Sequence, residues 1–253
     1  MVEAERVLGI PEVDRTLWTA LPPGWLALLT GPSGSGAPLL AKQFAHAGVG
    51  LAPVLYYTTY ERTESVRKAF TDFGWDPTDV QIVNLADEYY ERVLLRGLEV
   101  ARAREVGLSL SQIVGDRPER SDLATFSLTD RMLSDLAGID SPFRLVVESF
   151  DFFFEVLPPH DVTTVVRQIR YRCQTIGGQA LLAIHSSGRD RVAFGLQDLA
   201  DVVFELTAEP KGNRYEHTLY LEKVANRPDL THIWYAEMGE SGWHVEERPP
   251  TSG

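Results

Sequence analysis

Trp25-Leu26-Ala27-Leu28-Leu29-Thr30 runs straight into Gly31-Pro32-Ser33-Gly34-Ser35-Gly36-Ala37-Pro38, and a helix-patterned run from Leu39 to Ala47 follows. The first segment is continuously apolar, as in a strand buried on both faces of a parallel sheet. The glycine-rich segment then has the position and frame of a phosphate-binding loop, G-x-x-x-x-G-K-[ST], between strand and helix. The frame is intact, but Ala37 stands where the lysine belongs and Pro38 where the serine or threonine belongs. Leu40, Phe44 and Ala47 recur at helical spacing, and Pro38 suits the first position of a helix.

Upstream, Pro11, Pro22, Pro23 and Gly24 punctuate a short helical turn and a bend into this strand. Downstream, the chain alternates. Val54–Thr59 reads as a second strand, Glu61–Phe73 as a helix stopped by Gly74-Trp75-Asp76-Pro77, and Val80–Leu85 as a third strand. Residues 87–141 read as an inserted helical segment, with Tyr90, Leu94, Leu98 and Ala101 in one helix, a turn at Gly115–Pro118, and Leu128, Met132, Leu133 and Leu136 in another. Phe143–Glu148 is a fourth strand ending in a carboxylate. A helix with Val162, Val165, Val166, Ile169, Cys173 and Ile176 on one face follows, and then a fifth strand at Ala180–Ile184. Ser186–Gln197 reads as a polar loop. Val202–Leu206, His217–Lys223 and Thr231–Ala236 read as strands of antiparallel hairpins, and 247–253 as a frayed tail. The expectation is a single α/β domain over 1–253, a mainly parallel sheet flanked by helices with C-terminal antiparallel strands.

The chain has 253 residues, 24 Lys and Arg against 36 Asp and Glu, and a net charge of −12. That balance argues against a surface built to coat phosphates, so nucleic acid is not the expected partner. A lone cysteine, Cys173, fits a reducing compartment. No apolar run approaches the roughly 18 residues needed to span a bilayer, and the start lacks the pattern of a secretory signal. A cytoplasmic location without membrane contact is the expectation.

The ordered set of motifs resembles the KaiC-like group of RecA-fold ATPases over about residues 7 to 246. Gly9-Ile10-Pro11, Asp14 and Leu21-Pro22 with Gly24 match the group's lead-in. Tyr56 and Thr58 followed by Glu61, with Gly74-Trp75-Asp76 downstream, carry the most specific likeness. The resemblance implies a RecA-like fold, ATP and Mg²⁺ as cofactors, and binding of ATP between neighbouring subunits of a ring, usually a hexamer. It makes Gly31, Ser33, Gly34, Ser35, Gly36, Ala37, Pro38 and Lys223 the nucleotide-binding positions. It also makes Glu61 the surviving one of a glutamate pair that activates water, with Tyr60 in place of the other, and Glu148 the carboxylate that holds magnesium through water. Ala225 replaces an arginine that reaches a neighbour's nucleotide.

The departures weigh against turnover. Ala37 removes an ammonium, and Pro38 removes a hydroxyl and an amide donor together. Charge-assisted hydrogen bonds contribute roughly 1.5–3 kcal/mol each, so triphosphate binding should be weak or lost. The expected function is therefore a catalytically degenerate KaiC-like protein, a pseudo-ATPase acting in regulation or signalling through protein contacts. Its partners would be copies of itself or an active KaiC-like paralogue. The alternatives are a weak Mg²⁺-dependent ATPase using Glu61 and Glu148, and a recombinase-like DNA-repair accessory.

Several residues keep two readings at this stage. The loop glycines serve either a turn with positive φ or residual nucleotide binding. Glu61 is either a general base or a helix cap, and Glu148 either a metal-site carboxylate or the partner of an arginine. His185 is a phosphate-sensing residue or an ordinary loop histidine. Lys42, about 140° round the helix from Ala37, is a poor stand-in for the missing lysine. Arg189 and Arg191 read as a solvated loop, and Arg167, Arg170 and Arg172 as the wet side of a helix. Phe150, Phe152, Phe153 and Phe154 are core or a subunit contact.

Overall fold

The computed structural model describes residues 7–87, 89–91, 95, 98, 101–102, 129–185 and 191–246, with backbone only at 191–194. In chain order the elements are α1 (Pro11–Leu17), β1 (Trp25–Thr30), α2 (Ala37–Gly48), β2 (Val54–Thr58), α3 (Thr63–Asp72), β3 (Val80–Asn84), α4 (Asp130–Ala137), β4 (Arg144–Val147), α5 (Asp151–Val156), α6 (Pro159–Ile176), β5 (Gln179–Ile184), α7 (Arg191–Leu199), and β6 (Val202–Lys211), β7 (Arg214–Val224), β8 (His232–Gly239) and β9 (Gly242–Glu246). They form one sheet in the order β3-β2-β4-β5-β1-β6-β7-β8-β9. β1 to β6 run parallel and β6 to β9 antiparallel. This is the expected α/β architecture with an antiparallel extension.

The strand period of two divides the core. Trp25, Ala27 and Leu29 face one apolar layer with α1, α2, α3 and the inner faces of β7 to β9. Leu26 and Leu28 face the other, with α4, α5, α6 and Leu196 of α7. Strands covered on both sides must be apolar throughout, which is why β1 and β2 are buried at every position. In α6, Val162, Val165, Val166, Ile169 and Cys173 make the buried stripe. Burial pushes the Cys173 thiol up to about 12, so it is an inert packing group.

Three expectations need correction. Residues 191–199 are helical, not loop. Leu196 and Ala200 are buried against the second layer, at the i, i+4 spacing that also includes Val192, and Gly195 inside the run obscured that pattern. A further strand, β9, pairs with β8 beyond a tight turn at Glu240-Ser241. Arg170 and Arg172 are not merely solvated. Arg170 holds Asp201 at 2.6 Å, while Asp201 also accepts the Leu26 amide at 3.0 Å, and Arg172 donates to the Leu136 and Ile139 carbonyls that end α4. The Gly115–Pro118 turn, most of the first inserted helix, and Arg189 lie outside the described residues.

Asp14 explains the lead-in. Its Oδ1 accepts the amides of Val7 at 3.1 Å and Leu8 at 2.6 Å, tying the segment before α1 onto the core. Burial raises its carboxyl from 3.8 to about 6, against the pull of those amides and of Arg144. A raised folded value means that the native state binds the proton more tightly than the unfolded chain. This group's contribution to stability is therefore lost as pH rises from about 3.8 through about 6. Asp14→Asn removes the titration. Denaturant unfolding across that window should move the variant's stability relative to wild type in the variant's favour by up to about 3 kcal/mol, whereas Asp14→Ala should destabilise at every pH by orphaning two buried amides.

Candidate functional site

Parallel register places four chemistry-bearing segments on one sheet edge. Thr30 lies opposite Ile184, Tyr57 opposite Val147, and Val147 opposite Leu182. The glycine-rich loop leaves β1 there. Glu61 follows β2, Glu148 follows β4, and His185 follows β5. The crevice beyond the carboxyl ends of parallel strands is the usual ligand site of such sheets.

The loop keeps a left-handed turn at two of its glycines. Gly34 and Gly36 take φ of 87° and 86°, and among the described residues the amides of Ser33, Gly34 and Gly36 donate to no protein acceptor. Unbonded amides in such a turn are the kind of donors from which anion-binding concavities are built. Ser35 is fully buried, its amide on the Pro32 carbonyl and its hydroxyl 3.4 Å from the Ala37 amide. No cationic side chain rises from the loop. Ala37 is buried in the apolar layer, and Pro38 offers neither hydroxyl nor amide hydrogen. Trp243 of β9 closes one side. Its indole nitrogen reaches the Gly36 carbonyl at 3.4 Å, and its backbone exchanges hydrogen bonds with the Gln43 side chain at 2.7 and 3.0 Å.

Lys42 joins the other parts. Its ammonium is buried, 2.9 Å from Glu61 Oε1 and 2.5 Å from Glu148 Oε1, and it lies 5.8 Å from the Tyr56 ring centre. Thr58 shapes the turn that delivers Glu61, accepting the Glu61 amide at 2.9 Å, and Asn84 donates to the Glu61 carbonyl at 3.1 Å. Glu148 is set by its amide on the Tyr57 carbonyl at 2.9 Å. Burial acts to raise both carboxyls. At Glu61 the Lys42 charge, helped by Glu148 and His185, outweighs it and holds the group low. At Glu148 burial dominates and Glu61 adds to it, so Glu148 sits above the usual carboxylate range. Burial and Glu148 together push the Tyr56 phenol far up. The Tyr56 hydroxyl and Glu148 Oε2 are both buried without a geometric hydrogen bond among the described residues. One positive charge thus serves two carboxylates.

The expected site residues divide accordingly. Loop, Glu61 and Glu148 converge. Glu61 is paired with Lys42 and makes no side-chain capping bond to α3, and Glu148 pairs with the same lysine rather than an arginine. His185 is at the same edge, its amide and ring held by Asp151 Oδ2 at 2.8 and 3.3 Å. Lys223 is not brought to the loop of its own chain. It lies opposite Val203 and donates to the Gln197 and Asp198 carbonyls near the end of α7. Phe150, Phe152 and Phe153 are buried core with α5, Phe154 packs against them, and Tyr60 stands almost fully exposed at the rim. The sequence reading missed Lys42, Gln43 and Trp243 as site residues. The signal for Lys42 was its distance from Pro38 rather than from Ala37. Four residues apart, Pro38 and Lys42 share one helix face.

The residues present accommodate phosphate and magnesium unequally. Free loop amides suit a phosphate oxygen. They do not suit Mg²⁺, because Pro38 carries no oxygen ligand and an ammonium already sits between the carboxylates that would hold the ion. Among the described residues no group of three or more His, Cys, Asp or Glu side chains is placed to hold a metal ion, and no helix is long and apolar enough to cross a membrane.

The family model described as ATPase: KaiC matches residues 7–248. Among solved structures, the KaiC-like protein PH0186 of Pyrococcus horikoshii superposes with a TM-score of 0.67 at 20% identity, over 96% of this chain and 100% of that one. Among curated proteins, a UPF0273 protein of Pyrobaculum aerophilum is 32% identical over 26% of this chain and 24% of its own length. One of Methanopyrus kandleri is 38% identical over 28% and 29%. The matched segment spans about a quarter of the length of these curated relatives.

Gly34 and Gly36 offer a paired test. Both have positive φ, but a Cβ on Gly34 would meet nothing, and one on Gly36 would lie 2.3 Å from Trp243. Gly34→Ala should cost about 1–2 kcal/mol from φ alone, and Gly36→Ala a further 1–3 kcal/mol from overpacking. Thermal unfolding of both variants, with Trp243→Ala added to relieve only the second, checks the difference.

Proposed function

This chain belongs to the KaiC-like ATPase family, and we propose that within it the protein is a pseudo-ATPase, working through protein contacts in regulation or signalling rather than through turnover. The carrying observation is the position of Lys42. The carboxylate that would activate water, Glu61, is bound at 2.9 Å by an ammonium from its own fold. A carboxylate so engaged is a poor proton acceptor, because Lys42 stabilises its ionised form and holds its affinity for protons low. Ala37 and Pro38 support the same reading from the phosphate side, since neither contributes charge where a γ-phosphate would need it. The partner on this reading is a further copy of the chain or an active KaiC-like paralogue. A ring of subunits is the assembly that the family likeness implies.

A second reading has its own observation. The free amides of Ser33, Gly34 and Gly36 favour retention of some polyphosphate affinity, and with it a weak ATPase. Titration calorimetry with ATP separates the two, since tight binding that depends on Mg²⁺ belongs to the enzyme and weak or metal-indifferent binding to the pseudo-ATPase.

Purified protein should show no ATP turnover above background. The double variant Ala37→Lys/Pro38→Thr should bind ATP roughly a hundredfold or more tightly than wild type, two charge-assisted bonds being worth about 3 kcal/mol or more together. Clear turnover by the unmodified protein, abolished by Glu61→Gln, would overturn the proposal.

A further inference from the structure

We propose that the Lys42 ammonium is the resident cation of this site, a tethered charge standing between Glu61 and Glu148 where a divalent ion would otherwise bridge the two carboxylates. Its place follows from the helix. Residue 38 is the position whose hydroxyl would hold such an ion, and residue 42 lies one turn further along the same face of α2. From there a long side chain reaches the ends of β2 and β4 together, and Nζ makes a short contact with each carboxylate. Lys42 is 3% exposed and Glu148 2%, so their contact is shielded from competing water and salt, while Glu61 at 28% meets the ammonium from a partly solvated position. The three loses at Pro38 and Ala37 are thereby linked to one gain: the helix that no longer offers the ion a ligand offers a positive charge in its stead.

Charge counting supports the assignment. A divalent ion balances two carboxylates, and the ammonium stands in its place, in contact with one oxygen of each. The charged and titratable groups facing the ammonium are Glu61 from the β2 end, Glu148 from the β4 end, Tyr56 within β2, and His185 beyond Glu61 from the β5 end. The consequence is a site that keeps its shape without metal and does not take one up. If the tether were removed, the carboxylates would form a divalent-cation site in its place.

The inference rests on the same cluster as the pseudo-ATPase reading, but it is tested without nucleotide, so the two fail separately. The experiment is a Mn²⁺ titration of the full chain, followed by melting temperature and by the paramagnetic resonance signal of free Mn²⁺. Wild type should neither shift nor deplete the ion. Lys42→Ala should melt lower and then gain roughly 5–10 °C at about a hundredfold excess of Mn²⁺ over its Kd. The gain should vanish in Lys42→Ala/Glu148→Gln. Refolding Lys42→Ala with Mn²⁺ present covers the case in which the variant does not fold without the ion, and recovery there supports the assignment. Saturable Mn²⁺ binding by wild type that Glu148→Gln abolishes overturns it. So does a Lys42→Ala protein, folded or not, that Mn²⁺ leaves unchanged.

Discussion

An ammonium buried between two glutamates is the interaction on which the functional edge of this sheet depends. Parallel strands bring the ends of β2 and β4 close together, and both carry carboxylates. Glu148 is withdrawn from water while Glu61 is only partly so, and a buried carboxylate beside a second negative charge costs several kcal/mol unless a cation sits between them. Lys42 meets that demand from within the fold. Thr58 and Asn84 then hold the turn bearing Glu61, while Tyr56 fills the space beneath the ammonium. The cluster therefore stabilises an arrangement that strand order imposes, with one ammonium binding both carboxylates.

The fold was legible because burial on two faces leaves an unbroken apolar signature. β1, β2, β4 and β5 all read correctly from runs such as Trp25–Thr30 and Ala180–Ile184, and the positions of their intervening helices followed. What escaped was written in mixed residues. β9 is only Gly242–Glu246, with His244 and Glu246 exposed on its outer face, too short and too polar to stand out. Helix α7 was hidden by Gly195 and by the polar residues before it. At the site, the loop frame, Glu61 and Glu148 were visible as positions, but their state was not. A lysine inside a helix reads as solvent-facing until the strands beside it are known to end in carboxylates. Lys223 was visible as a position as well, but its partners were not: antiparallel register carries its side chain to the carbonyls of α7.

The loop has become a piece of architecture as much as a cradle. Ala37 is packed into the apolar layer, Ser35 is sealed inside the turn, and Trp243 rests on Gly36 while Gln43 clasps the strand that carries it. These contacts join residues 200 and 207 positions apart. Contacts of such sequence separation close a long stretch of chain, which costs conformational entropy and slows folding. On a ribosome, β1 and α2 would emerge and could pair long before the residue that braces them exists. The loop would then remain an open, glycine-rich hinge through most of synthesis and take its final shape only when β9 adds to the edge of the sheet. In this chain the turn that leaves β1 is completed by the last strand of the sheet.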